Sequence, residues 1–336
     1  MNSIDSRTKI AITSDLMYTV MSKIWIFILL PIISFSQVNK AEVDALFQKK
    51  QYQKAEIFLL NYLKKDPNNI QAQALLGDAY GYQKQWDEAI DSYENVLEKE
   101  TKNAQYFYNY GMVLGMMAIE NKLKAMMYVS DIKMAFIRAS ELDKTHIDAR
   151  WALVHLYMKM PGIVGGSMTK ALQYAAELKA LSKVDGYLAK GFIYEYDDDF
   201  AQAETNYKKA VQVGGSLTCY FSLFNLYEAH NKPNKAIEIL EQAQEKLNQN
   251  ILKYQIGKVA AKFQIQLEKG KQNLTSYLEN FKTGDEAPES WAHYRMAQIY
   301  RYQNKKNVAL KHINLSLKAL PNQSEFKDEK IEILGM

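Results

Sequence analysis

From about residue 41 onward, apolar and small residues recur at intervals of three and four, the spacing that lines one face of a helix. In the stretch from Ile70 to Thr101, Leu76, Gly77 and Tyr80 share one face of a first helix. Ala89, Tyr93 and Val96 share one face of a second, at i, i+4 and i+7. Lys84-Gln85 reads as a short connector, and Trp86-Asp87 leads into the second helix. Gly77 and Ala89 are small enough to let the two helices approach, while Tyr80, Trp86 and Tyr93 fill the space around them. The same pattern returns at a fixed interval of thirty-four: Ala55, Leu59 and Tyr62 precede Ala89, Tyr93 and Val96, and Gly111 follows Gly77. A period of this size marks a repeat array. A single hairpin cannot bury its apolar face alone, so each must stack on the next.

These residues resemble the tetratricopeptide repeat, a helical hairpin built on W, L-G, Y, A, F/Y, A and P at set positions. Chaining the period gives eight units, the first incomplete. Unit one has Tyr52, Ala55, Leu59, Tyr62 and Pro67, and unit two matches best, with Thr101 in place of the last proline. Unit three has Tyr110, Gly111 and Leu114, then Ile132, Phe136 and Ala139; unit four has Leu153, Val154 and Tyr157, then Ala171, Ala175 and Leu178. Unit five is regular, with Gly191, Tyr194, Phe200, Ala203, Tyr207 and Ala210. Unit six has Leu223, Phe224, Tyr227, Ala236, Leu240 and Ala243. Unit seven has Ile256, Gly257 and Ala260, then Leu274, Leu278 and Phe281; unit eight has Met296, Ala297, Tyr300, Ala309, Ile313, Ser316 and Pro321. The period breaks in units three, four and seven, and extra loops between the two helices of those hairpins are expected.

The resemblance implies an all-α fold: a right-handed superhelical solenoid of antiparallel helix pairs over residues 37–323, closed by a helix or tail at 324–336 in which Phe326, Lys330 and Ile333 face the last hairpin. It also implies that the first helices line a concave groove. Carried onto this chain, the groove positions include Tyr82, Tyr108, Trp151, His155, Tyr196, Phe221, Asn225, Tyr254, Trp291, Tyr294, Arg301 and Tyr302. Asp78, Phe192, Glu195, Glu228, Lys258 and Lys262 fall on the same strip. Aromatic side chains are the usual anchors of protein interfaces, although some of these rings are expected to pack between neighbouring helices.

Residues 1–36 form a leader. Lys23 precedes the apolar run Ile24 to Ile33, and Ser34-Phe35-Ser36 places small residues before a cleavage point at Gln37, the layout of a secretory signal peptide. The run is too short to span a bilayer as a stable helix. Met21 stands directly before it and is a candidate initiator. The expected destination is the periplasm or the extracellular space.

Composition narrows the chemistry. Six prolines and fifteen glycines in 336 residues suit a helical chain, and a net charge of +4 spread along it leaves no basic stripe for nucleic acid. Cys219 is the only cysteine, which excludes an intramolecular disulfide and a cysteine metal cluster. Pro161-Gly162-Ile163-Val164-Gly165-Gly166-Ser167 lacks the Gly-Lys-Ser/Thr of a phosphate loop and reads as an inter-helix turn with Ser167 as cap. The same string resembles one found in a group of exported bacterial tetratricopeptide proteins. Asp197-Asp198-Asp199 lies in a hairpin turn, where acids favour the following helix dipole. His146, His155, His230, His293 and His312 include no pair at i, i+4, so no helical zinc motif is present. No catalytic constellation emerges, and no cofactor or metal is expected. The reading is a non-enzymatic scaffold of the cell envelope that binds a peptide or protein segment. Two alternatives stand beside it: a structural subunit of an outer-membrane assembly, and a glycan-binding solenoid using Glu195 and Glu228.

Overall fold

The computed structural model describes residues 38–336, and the expected leader lies outside them. The described residues are helical throughout, without strands, and the fold class is the all-α helical-hairpin solenoid. The chain divides into two compact units, the first ending at Ala149 and the second running from Arg150 to Met336.

The first unit holds α1 (Lys40–Gln48), α2 (Tyr52–Leu63), α3 (Ile70–Tyr82), α4 (Trp86–Lys99), α5 (Ala104–Glu120) and α6 (Lys122–Leu142). The first helices start at asparagine caps. Asn39 accepts from Glu42 N at 3.3 Å, Asn69 from Ala72 N at 3.0 Å and Asn103 from Gln105 N at 3.0 Å. Such a cap satisfies one of the orphan amides of a helix start and is worth about 1 kcal/mol. Val43, Ala55, Leu59, Ala72, Leu76 and Ala79 interlock α1, α2 and α3 into one apolar cluster. Helix α1 therefore supplies the first helix that the sequence pattern leaves incomplete in unit one.

The second unit holds most of α7 (Ile147–Lys159), then α8 (Met168–Leu181), α9 (Lys183–Tyr196), α10 (Phe200–Gly214), α11 (Leu217–Ala229), α12 (Pro233–Leu247), α13 (Asn250–Phe263), α14 (Leu267–Glu279), α15 (Glu289–Tyr302), α16 (Lys306–Ala319) and α17 (Ser324–Leu334). Its interior runs from a cluster centred on Tyr207, Tyr220, Leu223, Phe224 and Leu240 to one holding Leu274, Tyr277 and Met296, and then to one closed by Phe326.

One contact repeats in hairpin after hairpin. A Cβ on Gly77 would stand 2.8 Å from the Tyr93 ring, and one on Gly191 would stand 2.3 Å from the Tyr207 ring. The first helix gives up a side chain so that the second can lay an aromatic ring against its backbone. This contact also resets the register of unit seven. Gly257 faces Leu274, so Leu274 occupies the place of Tyr93, and Gly270, not Leu274, takes the alanine position. The sequence pattern had put the second helix one turn out of step.

The interruptions of the period resolve differently from the loops expected. In unit three the extra residues are helical: α5 has 17 residues and α6 has 21, joined through Asn121 alone. The inserted stretch contains neither glycine nor proline, so propagating two helices costs less than ordering a loop. In unit four the insertion is a turn, as read. Gly162–Val164 forms a single 3-10 turn, Gly165 adopts φ 101°, and Ser167 caps α8 by accepting from Lys170 N at 3.3 Å. In unit seven the two helices are joined closely, by residues 264–266, and the extra residues come afterwards, between α14 and α15. That connector is pinned where Tyr277 donates to the Ala287 carbonyl and Asn250 donates to Asp285 at 3.3 Å.

Candidate partner-binding surface

In the second unit the face of the first helices carries a row of rings. Trp151 and His155, one turn apart on α7, stack with centroids 5.6 Å apart. His155 meets the Phe192 ring of α9 edge-on at 4.3 Å, and Phe192 meets Tyr196 at 6.1 Å. The row is fixed at one end, where the Trp151 indole N–H donates to Asp185 at 2.8 Å. At the other end Tyr196 is 50% exposed, so the row opens to solvent. His155 Nδ1 is buried and has no hydrogen-bond partner among the described residues. Burial, and then the nearby Lys159 charge, lower the His155 pKa, so the imidazole is neutral near pH 7.

Beyond the row, Phe221 packs on Phe224 at 6.0 Å and Asn225 is exposed. Glu228 is held by Lys258 at 3.0 Å and Lys262 at 3.1 Å, and these two cations outweigh burial to lower its pKa. Glu195 accepts from the Tyr207 hydroxyl at 2.6 Å. Each of the two carboxylates named for glycan binding thus has an internal partner.

Several expected groove residues serve packing instead. Tyr254 is 7% exposed and lies on Tyr277. Tyr294 is 9% exposed, with Phe326 of α17 at 5.1 Å and Trp291 closing the trio at 4.9 Å from Phe326. Arg301 is engaged by Glu329 of α17 through two hydrogen bonds, at 2.7 and 3.1 Å, and lies over Tyr302. The last helix thus covers the end of the strip. Its apolar spacing was visible, but nothing local to Trp291 or Arg301 announced which residues it would cover.

In the first unit Tyr82 stacks on Tyr52 at 4.7 Å and takes the edge of Phe47 at 5.5 Å. Tyr108 lies between Phe136 and His146, at 5.9 and 5.0 Å. Asp78, on the same strip, receives the Tyr93 hydroxyl and an amide hydrogen of Asn109 at 3.2 Å. Desolvation outweighs both bonds and raises the Asp78 pKa to about 6. Sequence reading missed a separate feature here: Ile119, Leu123, Met126 and Met127, at the tip of α5 and α6, are all more than 70% exposed.

Residues 74–105 match the sequence profile of the tetratricopeptide repeat. That match covers α4 and the ends of its neighbours; over the length of the chain the likeness is one of fold. Among solved structures the chain is similar to a tetratricopeptide repeat protein from Parabacteroides merdae, at 14% identity and a TM-score of 0.50, over 88% of this chain and 96% of the other. It is also similar to the C-terminal part of a repeat-containing protein from Cytophaga hutchinsonii, at 17% identity and a TM-score of 0.43, over 86% of this chain and 98% of the other. No curated protein matches it by sequence. No helix among the described residues is long and apolar enough to cross a membrane.

Proposed function

We propose that this protein is a non-catalytic interaction scaffold of the cell envelope, exported by its leader, and that it holds a peptide or protein segment along the row Trp151–His155–Phe192–Tyr196. The observation that carries the reading is the row itself: four partly exposed rings in contact along one face. Rings bring large contact area at low entropic cost. The chemistry that fits is a segment with apolar side chains to lie on Phe192 and Tyr196. The chain would be purified from the native envelope with its bound proteins, alongside a folded Trp151→Ala/Phe192→Ala variant. Loss of the co-purifying proteins from the variant is the expected result; an unchanged set rules the groove out. Fractionation with N-terminal sequencing tests export, with the mature chain expected to begin near Gln37.

A second reading, a structural subunit of an envelope assembly, is favoured by the exposed apolar tip of α5 and α6. There Leu123→Glu and Met127→Glu would abolish partner capture while the Trp151 variant retained it.

A further inference from the structure

His293 and His312 share no helix, and their spacing in sequence matches no ligand motif, yet the fold brings them face to face. His293 on α15 and His312 on α16 approach with Nδ1 atoms 3.0 Å apart and rings 5.1 Å apart. The Tyr300 ring lies nearly parallel to His312 at 5.4 Å and backs it on one side. On the far side of His293, Nε2 is 3.7 Å from a Glu289 carboxylate oxygen, one helical turn away.

From this arrangement we infer that His293 and His312 form a chelating site for a late first-row divalent transition-metal ion such as Cu2+, Ni2+ or Zn2+. An imidazole nitrogen binds these ions at about 2.0–2.1 Å. Two nitrogens 3.0 Å apart then subtend an angle of about 95° at the ion, close to the cis angle of square or octahedral coordination. Opening the pair by a few tenths of an ångström reaches the tetrahedral angle.

The electrostatics agree with this geometry. Burial, then His293 and Lys311, hold the His312 pKa down at about 4, and burial lowers that of His293 as well. In the absence of metal one Nδ1 must carry a hydrogen and donate to the other. Metal binding then requires only that this hydrogen pass to the outer Nε2 of its own ring, so that both Nδ1 lone pairs face the ion. No group of three or more His, Cys, Asp or Glu that could hold a metal occurs among the described residues, so the remaining coordination positions fall to water and the ion exchanges.

The test uses the purified chain labelled with 15N-histidine and titrated with zinc chloride. Two of the five histidines should change at Nδ1, with one site per chain. Calorimetry should give Cu2+ tighter than Ni2+ and Zn2+. His293→Ala and His312→Ala should each weaken binding at least tenfold, while His230→Ala leaves it unchanged and circular dichroism shows the variants folded. Changes at Nε2 in place of Nδ1, unchanged binding in the His293→Ala/His312→Ala variant, or no binding by the wild-type chain would each overturn the site. The titration needs no variant, so a folding defect cannot mask the outcome.

Discussion

Tyr93 and Tyr207 do two jobs from one position. Each ring lies against a glycine of the facing helix, and each hydroxyl donates to a carboxylate on that same helix, Asp78 or Glu195. A methyl group at Gly191 would stand 2.3 Å from a ring that is already tethered. Gly191→Ala is therefore expected to destabilise the second unit by about 1–3 kcal/mol, the cost of overpacking a well-filled interior, read by urea unfolding. Asp78 yields a pH prediction. Its pKa is raised to about 6 in the fold from an ordinary 3.8. The folded state thus holds the proton more tightly than the unfolded chain. Its stabilising effect is complete below pH 4 and is lost as pH rises through 6, amounting to on the order of 2–3 kcal/mol. Asp78→Asn keeps an acceptor for Tyr93 and removes this slope, so the variant should be the more stable protein at pH 7. Equal pH dependence in the two proteins between pH 4 and 7 would refute the assignment.

At the scale of the element, the hairpin turns share one device. Lys84, Asp198, Asn231 and Asn304 all adopt the left-handed region, with φ between 54° and 62°. The next amide in each turn bonds back to a tyrosine carbonyl in the preceding helix: Gln85 to Tyr80, Asp199 to Tyr194, Lys232 to Tyr227 and Lys305 to Tyr300. This is the Schellman closure, which glycine usually makes. A lysine there carries steric strain that glycine would relieve, offset in part by the greater freedom of glycine in the unfolded chain. Lys84→Gly should raise stability by about 0.5–1 kcal/mol, and a lowered melting temperature would contradict that. The turns were legible in sequence as short polar connectors, because each is local. The long α5–α6 hairpin was not. Whether inserted residues make a loop or extend two helices depends on what the extended helices rest against. Here Lys124 reaches Asp87 at 2.6 Å and the Trp86 indole reaches Glu120 at 3.0 Å.

At the scale of the whole molecule, stability in a repeat array is a sum of neighbour interfaces, so damage stays local. Phe326 is fully buried against Trp291 and Tyr294. Phe326→Ala should cost about 3–5 kcal/mol where that ring packs. Hydrogen exchange should accelerate in α15, α16 and α17 and leave α3 and α4 unchanged. Uniform loss of protection would show that the array unfolds as one body. The same substitution would uncover the Trp291 and Tyr294 rings and raise the tendency to self-associate.

By itself, the sequence determined the fold class. The period of Gly77 and Gly111, the alanines at Ala55 and Ala89, and the alternation of helix and connector are consequences of contacts within a hairpin and with its neighbour, so they are written locally and repeated. The resemblance to the repeat also put Trp151, His155 and Tyr196 on one strip, because in that repeat the first helices line the groove. Only the tertiary structure decided which strip residues stay accessible. Tyr294 and Arg301 read like Tyr196, but α17 folds back over them, and burial is decided by whatever arrives from elsewhere in the chain. Tyr254, likewise, is closed in by Tyr277 of the next helix. The register of unit seven, where Leu274 and not Gly270 meets Gly257, was decided in the same way, by which side chain fits against a bare backbone. So was the meeting of His293 and His312, two residues whose sequence spacing says nothing of the 3.0 Å between them.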